Sequence, residues 1–303
     1  YQGPFVLKPD AYGTWTFLED GPIEKYLLGV LPHEIGSASP PTALAAQAVL
    51  ARTWAISNRH RFAVDGYHLC SDTQCQVYKN PADANLAVAA AIDETFGKVL
   101  KWNGEPINAV YHATNGGVSA AGNEAWAINN LPYLQTFLDG SSRWTKQLLL
   151  PIDQKSKLKR LLSRRDGAFG NSHRLFRWKR TMTAQDIKEF LESSDSFTGL
   201  PNSVKVLERG PSGRVLALQI KSEKNDFKVV LRLDAIRRKL RNLPSTLFYL
   251  EEVKDGVWEF FGGGFGHGAG LSQAGAIDLA LRGWTTRKIL EYYYPGTTYE
   301  SFK

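Results

Sequence analysis

Apolar positions three and four apart, Ile23, Tyr26, Leu27, Val30 and Leu31, predict an amphipathic helix near the start of the chain. Ahead of it, Tyr12 to Leu18 alternates as a strand does, and Glu19-Asp20-Gly21-Pro22 forms a turn. Pro32 should kink or end the helix, which leaves His33, Glu34 and Ile35 at a helix end or a bend. Ser39 before Pro40-Pro41 signals a new helix start, and Ala43 to Ser57 reads as a tightly packed, alanine-rich helix. Gln47 and Arg52 are its polar exceptions. Tyr67 to Tyr78 is a polar loop, and Ala84 to Phe96 is a second alanine-rich helix stopped by Gly97.

The pattern then changes from a helical period to strand alternation. Val99 to Trp102, the dipeptide Asn103-Gly104 and Ile107 to Thr114 predict a hairpin. Helices are expected at Lys155 to Ser163 and Ala184 to Ser193. Strand pairs are expected within Ser203 to Leu231, around Gly210-Pro211-Ser212-Gly213 and Glu223-Lys224-Asn225-Asp226. Trp258 to Phe261 is a last strand, followed by a glycine loop over 262–270 and a small-residue helix from Ser272 to Arg282. Antiparallel hairpins with segregated helices argue an α+β fold. The expected organisation is a helical core packed on antiparallel strands, 1–140 with 255–303, and a basic α+β insertion over 141–254.

Composition adds little to this picture; charge adds more. The 303 residues are 43% hydrophobic and 22% charged, an ordinary globular balance. The net charge is +7, yet residues 143–180 hold twelve Lys or Arg against Asp153 and Asp166. One segment therefore carries the entire basic excess. It suggests an anionic polymer as partner, or else a helix face in water. No recognition-helix motif or aromatic-basic platform accompanies it, so nucleic acid is not the expected partner. No apolar run reaches the length of a membrane helix. The chain opens at Tyr1 without Met or signal sequence and is expected to be a trimmed segment, so that a membrane anchor can lie outside it.

Four stretches could carry chemistry. Glu34, beside Leu31, Pro32 and Ile35, could sit in a partly apolar setting that raises its pKa and keeps it protonated, as a general acid requires. His33-Glu34 lacks the second His of the zinc-protease helix motif. The run Gly262-Gly263-Gly264-Phe265-Gly266-His267-Gly268-Ala269-Gly270 satisfies a loose dinucleotide fingerprint, but no parallel strand follows to complete a βαβ unit. Its backbone amides, centred on His267, could instead meet a sugar hydroxyl, a carboxylate or a developing oxyanion. His68, Cys70 and Cys75 form half a zinc site, and Cys70 with Cys75 could equally be a short-loop disulfide; metal is slightly preferred. Tyr111 to Gly117 puts His112 and Thr114 at a strand end, where binding residues are common.

Taken in order, these stretches resemble the SpoIID/LytB family. The match runs through Tyr26 to Ile35, Ala43 to Trp54 with Gln47 and Arg52, Cys75-Gln76-Val77-Tyr78, Tyr111 to Gly117, and Gly264 to Ala276 with Ser272 and Gln273. Ser245 to Phe248 and Tyr292 to Gly296 are weaker matches in the right places. The resemblance implies a cell-envelope, exported lytic transglycosylase. It would cleave the MurNAc–GlcNAc bond of peptidoglycan glycan strands already stripped of peptides by a partner amidase. Glu34 would be the single catalytic acid/base, with no cofactor required beyond a structural zinc at His68, Cys70 and Cys75. Gln47, Arg52, Gln76, Tyr78, His112, Thr114, Gly116, Gly117, Gly266, His267, Gly268, Ser272 and Gln273 would bind substrate. Some relatives are non-catalytic enhancers of an amidase, which is the alternative reading. Ile35-Gly36 and Ala45 stand where the family often has Met-Pro and Lys.

Overall fold

A computed structural model of the chain describes residues 3–192, 198–223 and 227–302. Its elements open with β1 (Phe5–Pro9), β2 (Trp15–Glu19), α1 (Ile23–Glu34), α2 (Pro41–Ser57), α3 (Leu86–Glu94), β3 (Lys98–Trp102) and β4 (Glu105–Pro106). There follow β5 (Tyr111–His112), β6 (Val118–Ser119), β7 (Phe137–Leu138), α4 (Ser142–Gln147), α5 (Lys155–Leu162), β8 (Trp178–Thr183) and α6 (Ala184–Glu192). Next come β9 (Pro201–Arg209), β10 (Val215–Ser222), β11 (Lys228–Arg232), α7 (Ala235–Lys239), β12 (Phe248–Lys254) and β13 (Val257–Gly262). The chain closes with β14 (Leu271–Ser272), α8 (Gln273–Leu281), α9 (Thr286–Tyr293) and β15 (Thr298–Ser301). The fold is α+β. It forms two compact units, Tyr1–Val110 with Ala276–Lys303, and Tyr111–Gly275. These part at 110/111 and 275/276 rather than at the expected 140/141 and 254/255.

The first unit is built on α2. Pro41 starts it, and the alanines that follow leave it narrow enough to be buried on all sides from Ala43 to Ala55. Leu44, Ala45, Ala48 and Ala51 pack with Leu27, Val30 and Leu31 of α1 and Val88, Ala91 and Ile92 of α3. Thr53 of α2 accepts the Leu100 amide of β3 at 3.0 Å. Strands β15, β3 and β4 form a small antiparallel sheet. Asn103 and Gly104 turn between β3 and β4 with φ of 51° and 84°, the positive pair that a two-residue hairpin prefers. The partner strand is shorter than expected. Pro106 has no amide to continue the ladder, so β4 stops there. Tyr111 and His112 instead pair in parallel with Leu271 and Ser272.

The second unit holds two three-stranded antiparallel sheets, β11-β10-β9 and β12-β13-β8. Their inner faces share one core with α6 and α7, containing Trp178, Met182, Ile187, Leu218, Ile236, Phe248, Trp258 and Phe260. A satellite cluster seats α4 and α5 through Trp144, Leu158, Leu161, Phe176 and Leu247. The turn expected at Glu223 to Asp226 falls largely on residues 224–226, outside the described residues, as does Ser193 at the end of the expected second helix. No helix among the described residues is long and apolar enough to cross a membrane.

Candidate functional site

Helix α1 continues through Pro32 and ends on Glu34. The amides of Ile35 and Gly36 both reach back to the Leu31 carbonyl, at 3.2 and 3.3 Å, and Gly36 takes the left-handed conformation that closes the helix. Glu34 thus sits where the helix dipole presents its negative end.

Residues 76–79 cross α1 and pack beside Glu34. The crossing depends on Gly29: a Cβ there would stand 2.3 Å from the Tyr78 ring. The Lys79 amide donates to the Gly29 carbonyl at 3.1 Å, and the Tyr78 ring stacks on Tyr26 with centroids 5.2 Å apart. The Val77 amide donates to Glu34 Oε1 at 2.8 Å. Tyr26 Oη donates to Gln76 Oε1 at 3.0 Å, and Tyr78 Oη donates to Glu19 Oε2 at 2.7 Å. Burial raises the pKa of Glu34, and the Val77 amide, which favours the carboxylate, draws part of the shift back. Burial and then the charges on Glu34 and Tyr78 push the Tyr26 hydroxyl upward, so it remains a neutral donor.

The loop before Gln76 is cross-linked. Cys70 and Cys75 form a disulfide, and the Tyr78 amide donates to Ser71 inside the loop at 3.0 Å. This corrects the preference for metal at His68, Cys70 and Cys75. Bonded sulfurs offer no thiolate, and among the described residues no group of three His, Cys, Asp or Glu side chains could hold an ion.

Gln47 and Arg52 lie inside α2. Gln47 has no exposed surface, and Arg52 is 1% exposed. The Arg52 guanidinium grips both carboxylate oxygens of Glu24, at 2.8 and 2.6 Å, and donates to the Lys98 carbonyl at 2.9 Å. All three of its nitrogens are therefore spent on tying α1, α2 and β3 together.

A second cluster forms within the other unit, where the glycine loop follows β13. The amide-cradle expectation fails for most of this loop. The amides of Gly263, Gly264, Phe265 and Gly266 donate to the carbonyls of Leu247, Leu175, Thr114 and Pro244, which ties the loop to its neighbours. Gly268 exists for close approach: a Cβ would meet the buried Arg214 guanidinium at 2.1 Å. Arg214 donates to the Val118 and Asn115 carbonyls at 3.1 Å each, and burial brings its pKa down to about 10. Gly116 and Gly117 are held by Arg177 and Trp144, which donate to their carbonyls at 2.8 Å. Ser272 Oγ accepts the Gly275 amide, Thr114 Oγ accepts that of Gly116, and Gln273 is a mostly buried first residue of α8.

His112 and His267 meet edge to face at 5.1 Å. His267 Nδ1 accepts the Ala269 amide at 3.2 Å, so Nε2 carries the proton and donates to the Tyr111 carbonyl at 2.9 Å. Burial lowers its pKa to about 4, and its ring packs on Trp126 at 4.6 Å. His112 Nδ1 donates to the Ala269 carbonyl at 3.1 Å. That leaves Nε2 a buried lone pair without a partner among the described residues. Burial, with His267 and Arg214 adding to it, holds His112 neutral. The pair thus offers one acceptor and no charge at neutral pH.

Glu34, Gln76 and Tyr78 therefore share one cluster. His112, Thr114, Gly116, Gly117, Gly266, His267 and Gly268 share another. Three participants escaped the sequence reading: Tyr26, Glu19 and Trp126. Tyr26 lay within the motif around Glu34, whereas nothing local marked Glu19 or Trp126.

Comparison with known proteins bears on both clusters. A family model described as "Stage II sporulation protein" matches residues 11–102, the stretch that contains Glu34 and Tyr78. A second, described as a domain of unknown function (DUF8618), matches residues 120–270. The amidase enhancer of Bacillus subtilis (strain 168) is 31% identical over 91% of this chain, which spans 40% of that protein's length. Stage II sporulation protein D of the same organism is 29% identical over 92% of this chain and 75% of its own length. Stage II sporulation protein D of Bacillus amyloliquefaciens is 28% identical over 92% and 74%.

Proposed function

We propose, from the premise that this chain belongs to the stage II sporulation protein D family, that it is a lytic transglycosylase of peptidoglycan glycan strands. Its role concerns the cell wall. The finer reading rests on Glu34, a carboxyl whose pKa burial raises, which favours its protonated form, while the Val77 amide holds one oxygen in place. A carboxyl so held can protonate the oxygen between MurNAc and GlcNAc as the glycosidic bond breaks. The resulting carboxylate, steadied by the Val77 amide, then takes the proton of the muramic 6-hydroxyl as that oxygen closes on the anomeric carbon. The products are a 1,6-anhydroMurNAc end and a free GlcNAc hydroxyl. One carboxyl acts twice, so the pair of ordinary glycosidases is not required.

Gln76, Tyr78 and Tyr26 orient sugar at this pocket, and the lone pair on His112 Nε2 accepts from a sugar hydroxyl or amide. Gln47 and Arg52 support the pocket from within α2. The basic segment 143–180 meets anionic wall polymer. The disulfide suits an exported protein on the oxidising side of the membrane. The substrate is strand denuded by an amidase, itself a candidate partner.

The test is mass spectrometry of denuded strands incubated with wild type and with Glu34→Gln. Anhydro ends from wild type and none from the folded variant are expected; equal activity in the two removes the proposal. The name of the amidase enhancer relative favours one second reading, a non-catalytic binder that stimulates an amidase. Undiminished amidase stimulation by Glu34→Gln, with no cleavage by wild type, selects it.

A further inference from the structure

The hairpin of β1 and β2 turns an apolar face to solvent. Its register sets Phe5 opposite Glu19, Leu7 opposite Phe17 and Pro9 opposite Trp15, so these six side chains share one face. On that face Phe5 is 44% exposed, Leu7 59%, Phe17 65% and Trp15 66%. The rings of Phe5 and Phe17 stack at 4.8 Å and 21°, giving a flat aromatic surface. The turn is held by Asp10, which accepts the amides of Tyr12 and Thr14 at 3.0 and 2.9 Å, so the ribbon is defined without burying this face. A contiguous exposed apolar patch of this kind marks a surface for a partner.

The face has a direction. It runs from Trp15 at the turn to Glu19, whose Oε2 accepts the Tyr78 hydroxyl and whose Oε1 accepts the Gly3 amide at 3.1 Å. Tyr78 stacks on Tyr26, and the residue between Gln76 and Tyr78 holds Glu34. The exposed rings and the Glu34 pocket are thus joined through one hydrogen-bonded carboxylate. A five-residue strand is about 17 Å long, room for more than one pyranose ring. Pyranose rings offer apolar C–H faces with polar rims, the complement of a flat aromatic strip that ends in a carboxylate acceptor.

We infer that this face is a platform on which the glycan strand lies as it leaves the Glu34 pocket, Trp15 and Phe17 stacking on sugar rings. The inference rests on the function proposed above and adds where the uncleaved part of the polymer binds. Such a platform would make the protein favour long strands over short oligosaccharides.

The experiment uses the full chain carrying Glu34→Gln, titrated by calorimetry with denuded glycan strands and, separately, with a short oligosaccharide spanning only the scissile bond. Trp15→Ala and Phe17→Ala should each weaken long-strand binding roughly tenfold, as removal of one stacked ring implies. Short-oligosaccharide binding should be unchanged. Trp15→Tyr and Phe17→Tyr should restore most of the affinity, because they restore a ring. Circular dichroism checks that the exposed substitutions leave the fold intact. Equal long-strand binding by the double alanine variant overturns the inference. So does sedimentation showing a wild-type dimer that the double variant converts to monomer, since the face would then serve a second copy of the chain. Platform-dependent binding without any cleavage by wild type would instead fail the enzyme proposal and leave the platform standing.

Discussion

Replacing Arg52 separates a supporting from a ligand-binding role. Its guanidinium is 1% exposed, and its partner carboxylate on Glu24 is 18% exposed, so the ion pair is largely withdrawn from water. Arg52→Met leaves Glu24 unpaired and strips the Lys98 carbonyl of its donor. Breaking a buried pair from one side costs about 3 to 5 kcal/mol, and the partial access of water to Glu24 points to the lower end. Arg52→Lys keeps the charge but cannot grip both oxygens, so a loss of about 1 to 2 kcal/mol is expected. With a urea slope of about 2 kcal/mol per molar, Arg52→Met lowers the midpoint by about 1.5 M. Urea unfolding followed by amide exchange in α2 reads this directly, because two compact units need not unfold together. Glu24→Gln, which removes the charge from the other side, should also destabilise α2. An Arg52→Lys variant with an unchanged midpoint but lost glycan binding would refute this reasoning and return Arg52 to the substrate.

Glu34 is protonated more readily in the folded chain than in the unfolded one, so its contribution to stability is present at low pH and lost as pH rises through its elevated pKa. Glu34→Gln should therefore gain stability over wild type with rising pH, the two melting curves converging toward about pH 4; a constant gap counts against a raised pKa. The opposite sign holds for His267: its pKa is lowered to about 4, so its contribution is complete above the ordinary imidazole range and is lost as pH falls toward 4. NMR titration should place the His267 midpoint near 4, and one above about 6 would contradict its buried, Nε2-protonated state. Gly29→Ala puts a methyl into the Tyr78 ring and should cost about 1 to 3 kcal/mol, loosening the Val77 contact to Glu34. Hydrogen exchange at the Val77 amide measures that loosening, and unchanged protection would show that residues 76–79 do not depend on Gly29.

What was legible in the chain was periodic or local. Helix α1 was legible from its apolar spacing, although it runs through Pro32 and closes only at Gly36, and α2 is buried because its alanines leave little polar surface. Asn103-Gly104 declared its turn. Long-range pairings were not legible. Tyr111 and His112 continue no hairpin but lie beside Leu271 and Ser272, which no local window could show. The glycine loop looked like an anion cradle because glycine permits one, yet most of its amides are taken by carbonyls from distant segments. Gln47 and Arg52 stood out as polar residues in an apolar helix, a pattern shared by ligand contacts and internal ties. The bonds of Arg52 to Glu24 and Lys98 place it among the ties, and Gln47 is fully buried in the same helix. Cys70 and Cys75 were read with a slight preference for metal because five-residue spacing suits a metal half-site and a disulfide alike, and the structure bonds them to each other.

The basic segment shows most clearly how folding changes a linear count. Twelve cations between 143 and 180 suggested a single positive face. In the structure Lys155 and Lys159 share Glu251, at 3.4 and 2.7 Å, and Lys179 pairs with Glu259 at 2.7 Å. Lys157 pairs with Asp153 at 3.0 Å. Arg177 is largely withdrawn: it donates to the carbonyls of Leu161, Leu162 and Arg164 at the end of α5, and burial brings its pKa down to about 9. Exposed pairs of this kind add little stability, about 1 kcal/mol or less each, but they cancel charge. Glu251 and Glu259 lie far outside the basic segment in sequence, so the cancellation was invisible to any local count. The exposed Arg143, Lys146, Arg160, Arg165 and Arg174 are the cations left for the anionic polymer proposed above. Any wall attachment through this segment must therefore depend on a few separated charges, with an affinity that responds to salt, rather than on a continuous basic surface.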